Sequence, residues 1–398
     1  MNRIAWIDDL KGLGIFLIAL GHVVATVQIM SNGAVANALG MAFDYIYSFH
    51  VPFFFLLAGL TFSTRKGFRD FAKGKFYRLM APYFVWGMFS AALFVLMGSM
   101  TVKNMESAEF SRKALTGQWW TPFVSILHGG GWPGGKGFRF NGVLWFLPVL
   151  FSAELIYYPI AKRISKTWHF VAVASVVTVV LSPLYWPFLK LLLPYGLCRV
   201  PEYLVFILIG DWLGRTLKLQ SSNPSHPLHI SPSTRLNFKP QTSILEPISS
   251  SSHFPLYTAK LKTFNFKHLS LWSFLVVALL LGACLCVMCG ELVRYPLIVP
   301  KALATIVPLL LIARFRMFKW FGLLAPHTLA IMIFHKFLLV PLQIGVTKSE
   351  LMGSYPFLTS VLCVLLFAAI CVGVCYFISK ILVRYLPWTI GAKRVLVK

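Results

Sequence analysis

The sequence predicts an all-α, polytopic membrane protein with about ten transmembrane helices and both termini in the cytoplasm. Hydrophobic residues make up 58% of the 398 positions and charged residues only 12%, and the mean hydropathy is +0.74. Soluble domains carry about 25% charged residues, so this composition excludes a soluble class. We interpret residues 1–398 as a single transmembrane domain.

The apolar residues fall into segments whose lengths suit a membrane about 30 Å thick in its hydrocarbon layer. There are ten such segments, at residues 12–30, 46–62, 79–99, 143–160, 169–186, 200–217, 271–289, 297–313, 323–343 and 357–379. The Pro-rich stretch between the fifth and sixth is too short to span the membrane. We therefore interpret it as re-entrant or interfacial.

The basic residues of the chain are distributed unevenly between alternate loops. The formal net charge is +25, which in a soluble protein would suggest a nucleic-acid partner. Of the 37 Lys and Arg residues, 26 fall in one set of alternate loops and at the termini, and ten fall in the opposite set. The positive-inside rule accounts for this asymmetry and places both termini in the cytoplasm. No nucleic-acid partner is predicted.

Two of the loops between apolar segments are long. Residues 100–142 face outward and contain Trp119, Trp120 and a Gly-rich stretch, which suits either sugar packing or anchoring at the membrane interface. Residues 219–269 are rich in Ser, Pro and His and are predicted to be a disordered cytoplasmic insert. The seven cysteines lie in or beside apolar segments and are interpreted as packing residues, so no metal site is predicted.

The first apolar segment contains an unusual pair of polar residues. Lys11 and His22 are eleven residues apart, or about three helical turns, so they share one helix face about 16 Å apart along the axis. Lys11 is thus expected at a membrane surface and His22 near the midplane. A histidine in hydrocarbon is either functional or held by a hydrogen bond to a neighbouring helix.

This opening resembles the first helix of the acyltransferase-3 family of membrane acyltransferases. The matching positions are Arg3, Asp8, Lys11, Gly12 and His22, with Lys11 where Arg is commoner. The resemblance continues through further positions of the family's motifs, which are filled by Phe49, His50, Pro52, Lys75, Arg78, Pro82, Trp145, Thr328 and His335. Among family members, the fucose-acetylase-like and surface-polysaccharide O-acetyltransferase branch looks most similar.

The resemblance implies a role for each of these side chains. His22 is the implied catalytic residue, either as the general base or as the site of a transient acyl-imidazole. Lys11, Lys75 and Arg78 are the implied binding residues for the phosphates of coenzyme A. The implied substrate-binding or supporting residues are Arg3, Asp8, His50, Trp145 and His335. His50 can equally be read as structural, and Lys75 and Arg78 as ordinary topology determinants.

Two carboxylates in apolar segments do not fit the family motifs. Many family members carry a Glu five residues after the Trp, whereas here that position is Leu150 and the carboxylate is Glu154. Asp211, in the sixth segment, is expected to pair with a neighbouring basic residue.

The function implied is an O-acetyltransferase of the cell membrane, expected to be a bacterial inner membrane. It would move an acyl group, expected to be acetyl, from cytoplasmic acyl-CoA to a hydroxyl of a cell-surface polysaccharide or lipid-linked sugar, with no permanently bound cofactor or metal. The alternative is a polytopic transporter or flippase of lipid-linked saccharides, whose activity would survive replacement of His22. A third class, a sensor that binds a partner through the basic insert, has no positive support in the sequence.

Overall fold

The computed structural model describes residues 4–31, 33–98, 120–128, 141–164, 169–170, 173, 194–217, 298–313, 315–347 and 357–392. The regular structure among these residues is entirely helical. The α-helices are α1 Ala5–Met30, α2 Gly33–Leu60, α3 Phe68–Lys75, α4 Ala81–Gly98, α5 Thr121–Leu127, α6 Phe146–Arg163, α7 Val200–Thr216, α8 Ile298–Ala313, α9 Thr328–Thr347 and α10 Phe357–Tyr385. A π-helical turn spans Phe76–Met80, and 3₁₀ turns span Gly142–Trp145, Leu197–Arg199, Lys319–His327 and Pro387–Ile390.

Five stretches of the described chain are long and apolar enough to cross a membrane. They are Ala5–Gln28, Gly33–Leu60, Gly142–Arg163, Lys319–Leu339 and Ser360–Tyr385. Eight of the ten predicted segments coincide with described helices. The segments 169–186, apart from three residues, and 271–289 lie outside the described residues, as do the 219–269 insert and most of the outer loop. The count of ten spans and the orientation of the termini stay predictions.

Helix α2 begins at Gly33, thirteen residues before the predicted segment at 46, so the predicted start is wrong. Polar residues such as Asn37 and Asp44 interrupt the hydropathy pattern there, although they do not interrupt the helix. As a result Pro52 lies well inside α2. Because proline has no N–H, the carbonyl of Ser48 four residues earlier loses its usual helical donor.

Helix α1 is the element around which its neighbours pack, namely α2, α9, α10 and the 3₁₀ turn Lys319–His327. Its glycines face those neighbours. Gly12 lies against the carbonyl of Phe321, and a Cβ at Gly14 would lie 2.8 Å from the ring of Phe53. Small residues at such positions allow close contact between helices where hydrophobic burial gives no extra attraction.

Helix α2 makes a second close contact, with α7. Gly59 faces the carbonyl of Ile207, and Gly210 faces the carbonyl of Leu56, so the two backbones approach directly. This contact fixes α2, the helix that brings tyrosine and histidine side chains towards α1.

Asp211, the residue after Gly210, is held by an ion pair. Its Oδ2 lies 2.7 Å from Nη2 of Arg215 and accepts a hydrogen bond of 2.5 Å from the hydroxyl of Tyr157. The predicted pairing of Asp211 with a basic residue is confirmed. A buried carboxylate keeps its charge at tolerable cost only when it is paired and hydrogen-bonded in this way.

Candidate active site

His22 lies in the middle of α1, where it is partly buried among neighbouring helices. Lys11 lies at the start of the same helix, about 16 Å away by the helical rise. The two side chains therefore mark two ends of one helix face, as the spacing predicts. A small molecule would have to be long to reach both.

The hydroxyl of Tyr47, on α2, is the hydrogen-bond partner of His22. The phenol oxygen lies 2.6 Å from Nδ1 and 3.4 Å from Nε2 of the imidazole, so it lies over the face of the ring, nearer to Nδ1. The two rings meet edge to face, with centroids 5.5 Å apart. On the other side of its ring Tyr47 contacts His50, at a centroid distance of 4.5 Å.

His335, on α9, completes the cluster. Its ring centroid is 5.1 Å from that of His22 and its side chain is fully buried. The Nδ1–H of His335 donates to the carbonyl of Ile331 at 2.9 Å, while Nε2 has no partner among the described residues. We call His22, Tyr47, His50 and His335 the imidazole cluster.

The imidazole cluster joins the consecutive helices α1 and α2 to α9, which lies about 270 residues later in the chain. All three predicted histidines are brought together, since Tyr47 bridges the rings of His22 and His50. Imidazole is the side chain best suited to accept and return a proton near neutral pH. The arrangement can therefore move a proton to and from a bound hydroxyl.

The predicted phosphate-binding residues differ in how far they are already paired. Lys11 forms an ion pair with Asp8, with Nζ 3.3 Å from Oδ1. Lys75 forms an ion pair with Glu154, which is 1% exposed. Arg78 is exposed and makes no ion pair among the described residues.

Arg78 belongs to the π-helical turn that joins α3 to α4. The backbone of that turn is packed against Gly391, whose Cβ position lies 2.6 Å from the carbonyl oxygen of Arg78. Gly391 adopts φ +64°, which a residue with a side chain rarely tolerates. The C-terminal 3₁₀ turn thus supports the backbone that presents Arg78. Single π turns inside helices are frequent at functional sites.

A second ion pair lies beside Asp8 on α1. The Oδ2 of Asp9, a buried residue, is 2.5 Å from Nε of Arg316. Asp9 also lies against Gly322 of the 3₁₀ turn that follows Arg316. This pair joins the start of α1 to the segment that leads into α9. The carboxylate that is buried here is Asp9, whereas the motif residue Asp8 is more exposed.

Three predicted supporting residues are not found in the imidazole cluster. Asp8 pairs with Lys11 instead. Arg3 lies outside the described residues. Trp145 lies under the guanidinium of Arg199, 4.4 Å from ring centroid to Cζ, and near the ring of Tyr203. These two contacts of Trp145 do not involve the imidazole cluster, and its predicted supporting role stays a prediction.

These features define a class of protein, namely a multi-pass helical membrane protein with buried imidazoles and basic residues at the start of the same helix. Comparison with known families makes the assignment specific. A family model described as an acyltransferase domain matches residues 4–380, and the chain belongs to the acyltransferase-3 family. The match supports an acyltransferase, which needs an acyl donor and an acceptor. No curated protein and no solved structure matches the chain.

Sequence reasoning missed Tyr47 and the Asp9–Arg316 pair. Tyr47 precedes His50 by three residues, so the two share a helix face, and that spacing was the available signal. The pair between Asp9 and Arg316 joins residues 307 positions apart. No local sequence pattern predicts a contact between residues so far apart in the chain.

Proposed function

We propose that the chain is an integral membrane O-acyltransferase that moves an acyl group, expected to be acetyl, from cytoplasmic acyl-CoA to a hydroxyl of a cell-surface carbohydrate. The observation that carries the proposal is the contact of His22 with Tyr47 and His335, which come from two neighbouring helices. Lys11 lies about three turns before His22 on the same helix. The family membership supports the reaction class. The donor, the acceptor and the residue roles are our proposal.

The donor side of the proposal rests on charge. Coenzyme A has a polyanionic head on a long flexible arm, and cations at a membrane surface suit such a head. Arg78 is exposed, and Lys11 is only partly engaged by Asp8, so both retain donors for phosphate oxygens. With the head at this end, the arm would extend along α1 and bring the thioester towards His22.

The acceptor side rests on hydrogen-bonding capacity. The Nδ1–H of His335 is used by the carbonyl of Ile331, so Nε2 is left as an acceptor without a donor. A buried acceptor without a donor is costly, and a bound hydroxyl would supply the missing hydrogen. Carbohydrates offer such hydroxyls, and this suits a sugar acceptor beside His22.

The reaction proposed is a direct transfer. A ring nitrogen of His22 takes the proton of the acceptor hydroxyl as the hydroxyl oxygen attacks the thioester carbon. A carbon–oxygen bond forms, the carbon–sulfur bond breaks, and the departing thiolate takes the proton back from His22. The products are an ester and the free thiol of coenzyme A. General-base assistance of this kind is worth about 10²–10⁴ in rate.

The test is replacement of His22 by alanine. We expect the ester content of the cell-surface polysaccharide to fall to background at equal protein levels. We also expect the purified protein in lipid nanodiscs to release thiol from acetyl-CoA about 10²–10⁴ times more slowly when acceptor is present.

His327→Ala is the matched control. His327 lies in a membrane-spanning stretch as well, but its Nδ1 is 2.8 Å from Ser379 Oγ and its ring contacts Tyr376. We expect this variant to keep its activity. Full acylation by the His22 variant would remove the catalytic assignment, and sugar transport that survives in that variant would favour a flippase.

A further inference from the structure

We propose that Arg316 is a donor-binding residue whose guanidinium binds a phosphate group of coenzyme A. The inference rests on the proposed function, because acyl-CoA is the donor in that proposal. Arg316 is in none of the family motifs quoted above, and it is not among the residues assigned to the donor there. The observation that points to it is the ion pair that it forms with Asp9 at the start of α1.

Packing holds Arg316 beside the first residues of α1. It lies between α8 and the 3₁₀ turn Lys319–His327, and that turn packs along α1. The carbonyl of Phe321 lies so close to Gly12 that a Cβ there would be 1.7 Å from the carbonyl oxygen. Only a glycine permits this approach of the two backbones. The chain that carries Arg316 is therefore fixed against the end of α1 that carries the proposed donor site.

Two cations are held at this end of α1. Nε of Arg316 lies 2.5 Å from Oδ2 of Asp9, and the preceding residue, Asp8, pairs with Lys11 at 3.3 Å. Coenzyme A carries several phosphate groups, so its head needs more than one cation. Because consecutive Cα atoms are about 3.8 Å apart, cations paired to residues 8 and 9 can serve different phosphates of one polyanionic head.

The guanidinium of Arg316 keeps donors for a second anion. Its side chain is 47% exposed, although the Asp9 side chain with which it pairs is only 2% exposed. Oδ2 of Asp9 accepts no hydrogen bond among the described residues, so the contact is ionic and does not use the N–H donors of Arg316. A guanidinium is a planar fork of five donors that matches phosphate, and it can face a different anion with each edge. The single ammonium of Lys75, which faces Glu154, has no second edge of this kind.

The backbone of Arg316 is unusual as well. Its φ is +59°, in the left-handed region that residues with a side chain rarely adopt. The turn is held by two hydrogen bonds, from the Arg316 amide to the carbonyl of Ala313 at 3.0 Å and from the Lys319 amide to the carbonyl of Arg316 at 3.2 Å. Backbone strain of this kind clusters at ligand-binding sites. A glycine would relieve the strain here, but it would not supply a guanidinium.

The experiment measures the binding of coenzyme A and the transfer of acetyl groups by the full-length protein in lipid nanodiscs. Arg316→Lys keeps the charge beside Asp9 and removes the fork. The double variant Asp9→Asn with Arg316→Gln removes both charges, so no buried carboxylate is left unpaired. Arg384→Lys is the matched control, because Arg384 is an exposed arginine at the end of α10 whose Cζ lies 5.5 Å from the ring centroid of Tyr385.

We expect Kd for coenzyme A to rise roughly tenfold or more in the double variant, the worth of about one charge-assisted hydrogen bond. Arg316→Lys should weaken binding in the same direction, because an ammonium cannot bind phosphate in the bidentate way of a guanidinium. We expect kcat to be unchanged in both variants, and Arg384→Lys to match the wild type in every measurement.

Donors of different length separate phosphate binding from a structural role. Acetyl-CoA, S-acetylphosphopantetheine and S-acetylpantetheine present the same thioester with successively fewer phosphates, and the last has none. We expect KM for S-acetylpantetheine to be the same in the wild type and in the Arg316 variants, whereas KM for acetyl-CoA rises in the variants. If Arg316 only fastened the turn to α1, its replacement would raise KM for all three donors by the same factor.

The results also distinguish this inference from the function on which it rests. An unaltered Kd for coenzyme A in both variants, or an equal effect on the three donors, overturns the role of Arg316 and leaves acyl transfer in place. If coenzyme A binding depends on Arg316 but the wild type transfers no acyl group, the proposed function falls and the binding role stands. A wild-type protein that binds no coenzyme A would remove both.

Discussion

At the residue scale, the charge of Lys75 is already held by a buried carboxylate. Glu154 is 1% exposed, and its Oε2 has no hydrogen-bond partner among the described residues. Lys75 is therefore the group that makes burial of this carboxylate tolerable. A cation used in this way is less available to an incoming phosphate than Arg78, which is exposed and makes no ion pair among the described residues.

We predict that Lys75→Ala lowers the stability of the protein, whereas Arg78→Ala weakens the binding of acyl-CoA. Removing one member of a buried pair leaves an uncompensated charge and costs about 3–5 kcal/mol, so Lys75→Ala should lower the unfolding midpoint strongly. Arg78→Ala should leave stability unchanged and raise KM for acyl-CoA roughly tenfold or more, the worth of one charge-assisted hydrogen bond. Unfolding in detergent and initial rates of thiol release measure the two effects.

The neutral double variant Lys75→Met with Glu154→Gln is the control for the stability loss expected in Lys75→Ala. It removes both charges, so it should recover most of the stability lost in Lys75→Ala. A raised KM in Lys75→Ala with unaltered stability would show instead that Lys75 serves the donor directly.

At the element scale, the place of α2 depends on a backbone contact with α7. Gly210 and Gly59 face carbonyls of the opposite helix, so any added side chain meets backbone rather than a movable side chain. Helix α2 carries Tyr47 and His50, and a small rotation of it would separate the phenol from His22. The two glycines are therefore positioning elements for the imidazole cluster as well as packing residues.

Gly210→Ala should test this directly. The added methyl would clash with the carbonyl of Leu56, and overpacking of this kind costs about 1–3 kcal/mol. Gly373→Ala in α10 is the matched change, because a Cβ there meets nothing within 4 Å among the described residues. We expect Gly373→Ala to be neutral or slightly stabilising, by up to about 1 kcal/mol of helix propensity. Equal unfolding midpoints for the two variants would contradict the close contact.

Helices were easier to predict than the contacts between them. Apolar runs locate eight described helices, since burying a backbone in lipid requires helical hydrogen bonding. The start of α2 at Gly33 was missed because Asn37 and Asp44 lower the local hydropathy without ending the helix. The 3₁₀ form of Lys319–His327 was missed because hydropathy is the same for either helix type.

The histidines of the candidate site were found, and their partners were not. His22, His50 and His335 were named from the sequence because they stand at positions that resemble motifs of the family. The bond from Tyr47 to His22, and the pairing of Lys75 with Glu154, depend on how distant helices rotate against each other. Such rotations are set by packing, which a single sequence does not display.

At the scale of the whole molecule, function requires a direction across the membrane. The proposed donor is cytoplasmic, so the cations at the start of α1 and in the turn after α3 must face the cytoplasm. The charge asymmetry of the loops favours this, with 26 of 37 basic residues on one side. Trp145 and Arg199 would then lie towards the outer face, where a carbohydrate acceptor approaches.

We therefore predict that residues 219–269 are cytoplasmic and residues 100–142 are external. In a variant whose seven cysteines are replaced, single cysteines at Ser222 and Ser107 are labelled in intact cells with a maleimide that does not cross membranes. We expect Ser107→Cys to react and Ser222→Cys to react only after the cells are permeabilised. The reverse pattern would place Lys11 and Arg78 outside the cell, away from acyl-CoA. A protein with that orientation would have no access to its proposed donor, even with the imidazole cluster intact.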